Sequence, residues 1–429
     1  MKFLKHPLFK NTFIYVITDS INKVIPFIML SVLTRFLSPE DYGRVANYFV
    51  LSGILSIFVG LSTHGAVSVN FFKLERDNLR KYIANIIIIL VISTIIVTLL
   101  LCTLSGVLSK YLHIPRGWIL IVPFVSFSQF LTLLNMTLWQ SEQRPMPFGI
   151  YQILQTLAYT ILVLFFVVAL KMRWQGQLLA NLISIVLFAF FSLFIIIKRG
   201  YFKFEFHLEY VKDALFFGVP LIPHQLANWI KNGVDRIFLT TMVGVAATGI
   251  YSVGYQFGMI IGLLGNAFNK AWAPFLFEKM KSIDQHQKVR LVKFSYLCFI
   301  AIIAATMIFS LVAPWFMGFF LGDRFTNASK FVVWIAFGYA FDTMYYVVTN
   351  QIFFVKATHL LAIVTFVSSL IHIILSYTLI KLNGSIGSAQ AITISFFITF
   401  LSVWILSAKV YPMPWLSFLR SQAPQAQKG

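Results

Sequence analysis

The run YIANIIIILVISTIIVTLLLCTL, residues 82–104, decides the fold class, because it contains no charged side chain over a length that can span a membrane. A helix of this length crosses the roughly 30 Å of hydrocarbon in a bilayer. Similar apolar runs recur along the chain. They predict about twelve transmembrane helices, at residues 13–34, 45–69, 82–104, 118–139, 150–170, 177–197, 215–239, 248–272, 294–313, 331–354, 357–380 and 385–407. The sequence therefore predicts an all-α integral membrane protein.

The composition excludes soluble classes of protein. Hydrophobic residues make up 59% of the 429 residues and charged residues 11%, whereas soluble domains are about 45–50% apolar and about 25% charged. Cys102 and Cys298 both lie in apolar runs, so neither a disulfide framework nor a cysteine metal site is expected. The sequence contains no phosphate-binding loop, H-E-x-x-H helix or Rossmann fingerprint. We expect no cofactor and no metal.

The net charge of +20 has two possible explanations. A strongly basic soluble chain would suggest nucleic acid as a partner. In a membrane protein the same charge reflects the excess of Lys and Arg in cytoplasmic loops. If the N-terminus is cytoplasmic, the inside segments carry more than twice as many Lys and Arg residues as the outside loops. We therefore predict that both termini are cytoplasmic and that nucleic acid is not a partner.

The spans divide into two predicted lobes of six helices around a central cavity. Residues 1–197 form the N-terminal lobe, and residues 215–429 form the C-terminal lobe with a short cytoplasmic tail. The segment KRGYFKFEFHLEYVKDA, residues 198–214, mixes aromatic and charged side chains, as interfacial segments do, and we predict that it is an interfacial cytoplasmic linker between the lobes. The octets YGRVANYF, residues 42–49, and TGIYSVGY, residues 248–255, place Gly43 and Gly249 in register, 206 residues apart. The lobes are thus candidates for an internal repeat.

A stripe of polar residues marks the seventh predicted span. His224, Asn228, Lys231 and Asp235 have the spacing i, i+4, i+7 and i+11, which places them on one helical face, and Arg236 adjoins them. Ionisable groups within a bilayer are costly unless they are paired or face water. Two interpretations are open. Lys231 and Asp235 form a buried pair that fixes packing, or the stripe lines a hydrated cavity.

Four other ionisable residues in the spans also have alternative roles. Asp19 and Lys23 have the i,i+4 spacing of a structural ion pair, but they could equally line the cavity. Lys270 could extend to the cytoplasmic interface or bind substrate. Asp342 could bind a coupling ion or simply hydrogen-bond to its neighbours. Three isolated histidines are more typical of satisfied core residues than of a proton relay: His64, His359 and His372.

Two stretches resemble the polysaccharide-flippase family of the multidrug/oligosaccharidyl-lipid/polysaccharide exporter superfamily. They are LTRFLSPEDYGRVANYFVL, residues 33–51, and FFGVPLIPHQLANWIKNGVDRIFL, residues 216–239. The second lobe of that family opens with a similar Gly-x-Pro and has an Asp-Arg near the end of helix seven. Four residues match this pattern: Gly218, Pro220, Asp235 and Arg236.

The resemblance implies a V-shaped cavity and the flipping of undecaprenyl-pyrophosphate-linked oligosaccharides, such as O-antigen units, across a bacterial inner membrane. Membrane lipids and other polysaccharide-assembly proteins are the further partners expected. Cations suit a pyrophosphate, because charge-assisted hydrogen bonds to phosphate are strong. We therefore predict six substrate-binding residues, Lys23, Arg35, Asn228, Lys231, Arg236 and Lys270. We predict four coupling or gating residues, Asp19, His224, Asp235 and Asp342.

Two alternative functions compete with flipping. An ion-coupled multidrug exporter of the same superfamily would favour carboxylates in its site, whereas the cations here would repel cationic drugs. A membrane-embedded glycan polymerase or glycosyltransferase would need a sizeable outside loop or outward-facing acids. The one paired carboxylate predicted outside, Glu40–Asp41, lies in a turn where helix capping is the ordinary role. We therefore expect a transporter rather than an enzyme.

Overall fold

The computed structural model describes residues 7–281 and 284–415, and these residues form helices and no strands. The helices are α1 (Pro7–Phe36), α2 (Pro39–Phe58), α3 (His64–Asn70), α4 (Arg76–Leu112), α5 (Arg116–Ser141), α6 (Pro145–Val163), α7 (Arg173–Lys198), α8 (Leu208–Gly218), α9 (Ile222–Met242), α10 (Val245–Met280), α11 (Gln285–Phe320), α12 (Ser329–Phe354), α13 (Thr358–Asn383) and α14 (Ser385–Val410). The predicted cytoplasmic tail falls largely on residues 416–429, outside the described residues.

Ten helical segments in the described part of the chain are long and apolar enough to cross a membrane. They correspond to ten of the twelve predicted spans. The other two spans, at 45–69 and 215–239, are also mainly helical, but each is interrupted. The first consists of α2 and α3 with a turn between them, and the second consists of the end of α8, a short 3-10 turn at Val219–Leu221, and α9. The all-α membrane fold is confirmed.

Packing divides the described chain into two compact units. The first unit extends to Ser252 and includes Phe320–Phe325, and the second contains Val253–Phe319 and the chain from Thr326 onward. Each unit has its own apolar core. In the first unit α9, which opens the predicted C-terminal lobe, packs against α2. The lobe boundary at residues 198–214 stays a prediction.

A capping box fixes the start of α2. The Ser38 amide donates to the Asp41 carboxylate at 3.1 Å, and the Asp41 amide donates to the Ser38 hydroxyl at 3.2 Å. These bonds satisfy helix N–H groups that would otherwise lack partners. The buried Asp41 carboxylate also accepts a hydrogen bond from Arg173 Nε at 3.0 Å. The capping role expected for this turn is confirmed.

Gly43 and Gly249 allow α2 and the start of α10 to approach closely within the first unit. A Cβ atom at Gly43 would lie 2.0 Å from the Val245 carbonyl oxygen, and one at Gly249 would lie 2.0 Å from the Pro39 carbonyl oxygen. The two contacts are equivalent, because Val245 follows Pro39 by the same 206 residues that separate the glycines. A two-fold axis produces reciprocal contacts of this kind. The crossing therefore favours the predicted repeat.

The segment between α7 and α8 is held against α4 by polar contacts. Lys81 Nζ lies 3.0 Å from the Glu205 carboxylate, and Asn85 Nδ2 donates to the Glu205 carbonyl at 2.8 Å. The hydrogen bond from Lys81 lowers the pKa of the Glu205 carboxyl below its ordinary value. The same segment exposes two large aromatic side chains, Phe204 and Phe206. Exposed aromatics beside basic groups suit a membrane interface, the location predicted for residues 198–214.

Candidate functional site

The polar face of α9 begins with His224 and Asn228. Asn228 Nδ2 lies 3.2 Å from His224 Nε2, as expected for residues one helical turn apart. Asn232 continues the face, and its Nδ2 donates to the Asn228 carbonyl at 2.8 Å. All three residues are exposed within the described chain. The three exposed side chains thus form one continuous polar face along two turns of α9.

Asp235 and Arg236 end the polar face and meet at Tyr251. The Asp235 side chain is only 1% exposed and accepts a hydrogen bond from the Tyr251 hydroxyl at 3.0 Å. The Arg236 guanidinium carbon lies 5.8 Å from the centre of the Tyr251 ring, and Arg236 Nε donates to the Ser252 hydroxyl at 3.3 Å. Arg236 also donates to the Asn232 carbonyl. A buried carboxylate and a guanidinium therefore share one aromatic neighbour, which neither interpretation of the α9 spacing anticipated.

A cavity of about 600 Å³ lies in the first unit beside this face. Residues of α2, α3, α5, α6 and α9 and of the turn before α3 line it: Gly53, Ser56, Ile57, Ser62, His64, Ser126, Gln129, Phe130, Thr132, Leu133, Met136, Gln155, Gln225, Asn228, Trp229 and Asn232. Its described lining contains amides, hydroxyls, an imidazole and apolar groups but no Asp, Glu, Lys or Arg. We call it the neutral cavity.

The Trp229 indole is fixed in the wall of the neutral cavity. Its Nε1 donates to the Val50 carbonyl at 2.9 Å. A Cβ atom at Gly53 would lie 3.2 Å from the indole Cδ1, and one at Gly233 would lie 3.3 Å from Nε1. Because Gly53 and Gly233 have no Cβ, the indole fits closely between them, and its hydrogen bond to Val50 fixes its orientation. A rigid aromatic surface and several amides can together recognise an uncharged polar ligand.

A strained turn carries Ser62 into the wall of the same cavity. Gly60, Leu61 and Ser62 have φ values of +79°, +51° and +58°. Left-handed conformations are unfavourable for residues other than glycine, and they persist where surrounding contacts enforce them. The Gly60 amide donates to the Ser93 hydroxyl at 3.0 Å, and the Gly60 carbonyl accepts from the Thr63 hydroxyl at 2.6 Å. This turn separates α2 from α3, where the sequence predicted one continuous span.

The remaining predicted residues lie on other helices. On α1, Lys23 Nζ lies 2.9 Å from the Asp19 carboxylate, and both side chains are about 40% exposed. Arg35 is exposed in the last turn of α1. Lys270 is exposed on α10 and Asp342 is half-buried on α12, both in the second unit. The structure thus brings together five predicted residues on α9, and Asp19 with Lys23 on α1.

Sequence reasoning missed most of the neutral cavity. It treated His64 as an isolated histidine, whereas the structure places it in the cavity wall with Ser126, Gln129 and Gln155. A signal for the two glutamines was present, since each is an uncharged amide within a predicted apolar span. A neutral amide costs less to bury in a membrane than a charge does, so its presence in a span is a weaker signal of a site.

The apolar helices and the polar cavity define a multi-pass membrane protein of a transporter-like fold. Residues 8–280 match the model of a protein family described as polysaccharide biosynthesis protein. The chain belongs to this family, which confirms the resemblance seen in the sequence.

Two solved structures share the fold. The inward closed conformation of the lipid II flippase MurJ matches with a TM-score of 0.75 and 16% identity, covering 92% of this chain and 87% of that chain. An inward-facing multidrug resistance transporter of the MATE family, in the MOP superfamily, matches with a TM-score of 0.71 and 15% identity, covering 96% and 100%. At these identities the likeness establishes the fold.

Two relatives align over nearly their whole length. The Lsg locus putative protein 1 of Haemophilus influenzae is 26% identical over 413 residues, which cover 91% of this chain and 98% of that protein. The capsular polysaccharide biosynthesis protein CapF of Staphylococcus aureus is 22% identical over 409 residues, covering 92% and 98%. Both are similar to this chain along its length rather than in one segment.

Proposed function

We propose that this protein is a flippase that moves undecaprenyl-pyrophosphate-linked oligosaccharides from the cytoplasmic to the periplasmic leaflet of a bacterial inner membrane by alternating access. The observation that carries the proposal is the polar face of α9. Neutral amides at the cavity are followed one turn later by the Arg236 guanidinium, which donates to the Asn232 carbonyl. A sugar-bearing pyrophosphate lipid needs both kinds of group. Membership of the polysaccharide biosynthesis family supports this substrate class.

The cations of the first unit would attract the pyrophosphate. Lys231 and Arg236 lie on α9 beside the amides that line the cavity, and Lys23 and Arg35 lie on α1. Charge-assisted hydrogen bonds to phosphate are strong, and the arginine fork can bind two phosphate oxygens at once. Lys270 of the second unit would bind the same headgroup at another stage of transport. Flipping makes and breaks no covalent bond, so no catalytic group is assigned.

The three aspartates and His224 would couple or gate the cycle. Asp235 is the strongest candidate, because its buried carboxylate is hydrogen-bonded to Tyr251, which also contacts Arg236. A change in that contact would be transmitted directly to the cation that holds the headgroup. We assign the same kind of role to Asp19, His224 and Asp342. Membrane lipids and other polysaccharide-assembly proteins remain the proposed partners, and both termini are proposed to be cytoplasmic.

The alternative of a multidrug exporter receives less support from the cavity. Cationic drugs gain most from a carboxylate, whereas the described lining of the neutral cavity consists of amides, hydroxyls, one imidazole and apolar groups. The alternative of a glycosyltransferase or polymerase requires outward-facing acids. Of the outward pair predicted at Glu40–Asp41, the buried Asp41 is engaged in capping and in binding Arg173, so the two carboxylates do not act as an exposed pair.

Deletion of the gene tests the proposed function. The deletion strain should lose its surface glycan and accumulate the lipid-linked precursor in the cytoplasmic leaflet, where a membrane-impermeant glycosidase cannot reach it in intact spheroplasts. A plasmid copy of the wild-type gene should restore both properties. Accumulation of the precursor in the outer leaflet would refute flipping, and so would a surface glycan that is unchanged.

A further inference from the structure

Two polar atoms in the wall of the neutral cavity lack hydrogen-bond partners among the described residues. The Ser126 side chain is only 2% exposed, and its Oγ is buried and unbonded. His64 Nδ1 is likewise buried and unbonded. Buried polar groups in folded proteins are nearly always hydrogen-bonded, so an exception calls for an explanation. Both residues line the neutral cavity, so a rotation of either side chain toward it would let a polar ligand there supply the missing bond.

The other polar groups of the cavity suit a ligand that both donates and accepts hydrogen bonds. The side-chain amides of Gln129, Gln155 and Gln225 each offer an NH₂ donor and a carbonyl acceptor. A hydroxyl such as that of Ser126 also does both. Sugar hydroxyls and N-acetyl groups have the same dual character, and the apolar C–H faces of sugar rings can pack on Trp229. A phosphate only accepts hydrogen bonds when fully ionised, so half of this capacity would be unused.

We propose that the neutral cavity is a recognition site for the uncharged sugar residues of the lipid-linked substrate. This inference rests on the proposed function and divides the substrate between two places, with the pyrophosphate on Lys231 and Arg236 and the sugars among the amides. The cavity volume of about 600 Å³ falls within the range of about 300–1,000 Å³ typical of small-ligand sites. It has room for a short sugar segment. Selection among glycans is therefore assigned to the first unit.

The site is organised before any ligand arrives. Trp229 is fixed by its bond to Val50, and Ser62 is held on the strained turn by contacts to Gly60. A Cβ at Gly218 would lie 2.2 Å from the Leu61 carbonyl oxygen, so α8 also packs directly on this turn. Rigid groups lose little entropy when they bind, which favours affinity and discrimination. Strain that is maintained at a cavity wall is typical of a functional site.

Binding measurements with two probes test the assignment. The purified full-length protein is placed in lipid nanodiscs and titrated with undecaprenyl pyrophosphate or with the lipid-linked oligosaccharide extracted from the deletion strain. Gln129→Leu and Ser126→Ala remove polar groups from the cavity with little change in size. Gln140→Leu is the matched control, because Gln140 is an exposed glutamine of the same helix that does not line the cavity. Arg236→Ala is the comparison for loss of the headgroup site.

The wild type should bind the oligosaccharide lipid more tightly than undecaprenyl pyrophosphate. Gln129→Leu and Ser126→Ala should each raise the Kd for the oligosaccharide lipid about tenfold, as expected for a lost hydrogen bond, and leave the Kd for undecaprenyl pyrophosphate unchanged. Gln140→Leu should change neither, and Arg236→Ala should weaken both. If the two cavity variants bind the oligosaccharide lipid like the wild type, or weaken both probes equally, the sugar site is wrong while the flippase function stands. A wild type that binds neither probe would overturn the proposed function itself.

Discussion

Replacing Gly43 or Gly249 with alanine should separate α2 from α10. Each added methyl would lie 2.0 Å from a backbone carbonyl oxygen, so the helices must move apart by about 1.5 Å to restore van der Waals contact. Overpacking of this kind costs about 1–3 kcal/mol, and alanine recovers about 0.5–1 kcal/mol as the better helix former. We expect each substitution to lower the free energy of unfolding by about 1–2 kcal/mol.

Thermal unfolding of the purified protein in detergent, followed by tryptophan fluorescence at one scan rate, measures this effect. Gly117→Ala is the matched control, because a Cβ at Gly117, in the first turn of α5, meets nothing within 4 Å. The control should leave the unfolding midpoint unchanged or raise it slightly, while both crossing variants should lower it.

The double variant tests whether the two contacts form one crossing. A Cβ at Gly249 would also lie 2.9 Å from the Gly43 amide nitrogen, so one separation of the helices relieves both overlaps. The destabilisation of Gly43→Ala/Gly249→Ala should therefore be smaller than the sum of the single effects. Midpoints for both single variants equal to that of Gly117→Ala would refute the close approach and the two-fold relation inferred from it.

Three further predictions concern topology and transport. A phosphatase fused after residue 429 should be inactive and one near Asn327 active, and the reverse pattern would invert the predicted topology. Arg236→Ala or Lys231→Ala should abolish surface glycan while the protein stays inserted and abundant. The control Arg290→Ala, which removes an exposed arginine of α11, should leave the surface glycan normal. Normal glycan in both α9 variants would mean that the two cations serve packing only. Asp235→Asn should block transport even when Lys231→Gln is added. Breaking a buried ion pair costs about 3–5 kcal/mol, whereas neutral replacement of both partners is often tolerated, so the double variant should keep a normal protein level and still fail to export glycan. Full recovery of export in the double variant would show that the aspartate serves only to neutralise the lysine.

Hydropathy was sufficient to predict the apolar helices, because crossing a bilayer constrains both length and composition. The break between α2 and α3 could not be predicted in this way. Only Gly60 signals it in the sequence, while Leu61 and Ser62 adopt positive φ because distant residues hold the turn. One of these is Ser93 on α4, and such tertiary contacts override local preference.

The candidate site was predictable to the extent that it lies on one helix. The i,i+4 spacing of His224 and Asn228 places them in contact, and the structure has their nitrogens 3.2 Å apart. The Tyr251 partner of Asp235 comes from the following helix, and Gln129 and Gln155 come from helices far away in sequence. Their approach depends on tertiary packing, which periodicity within one helix does not report.

At the crossing, a Cβ on Gly43 or on Gly249 would lie closest to a backbone carbonyl oxygen, that of Val245 or of Pro39. The equivalent contact is therefore made although the side chains of Pro39 and Val245 differ. In the octets 42–49 and 248–255, glycine is the single identical residue at matched positions. A comparison of these two octets by residue identity therefore detects only the glycine, although the main chains around it make equivalent contacts. Two repeats can thus lose nearly all sequence identity while two glycines, which have no Cβ, keep the contact between their helices unchanged.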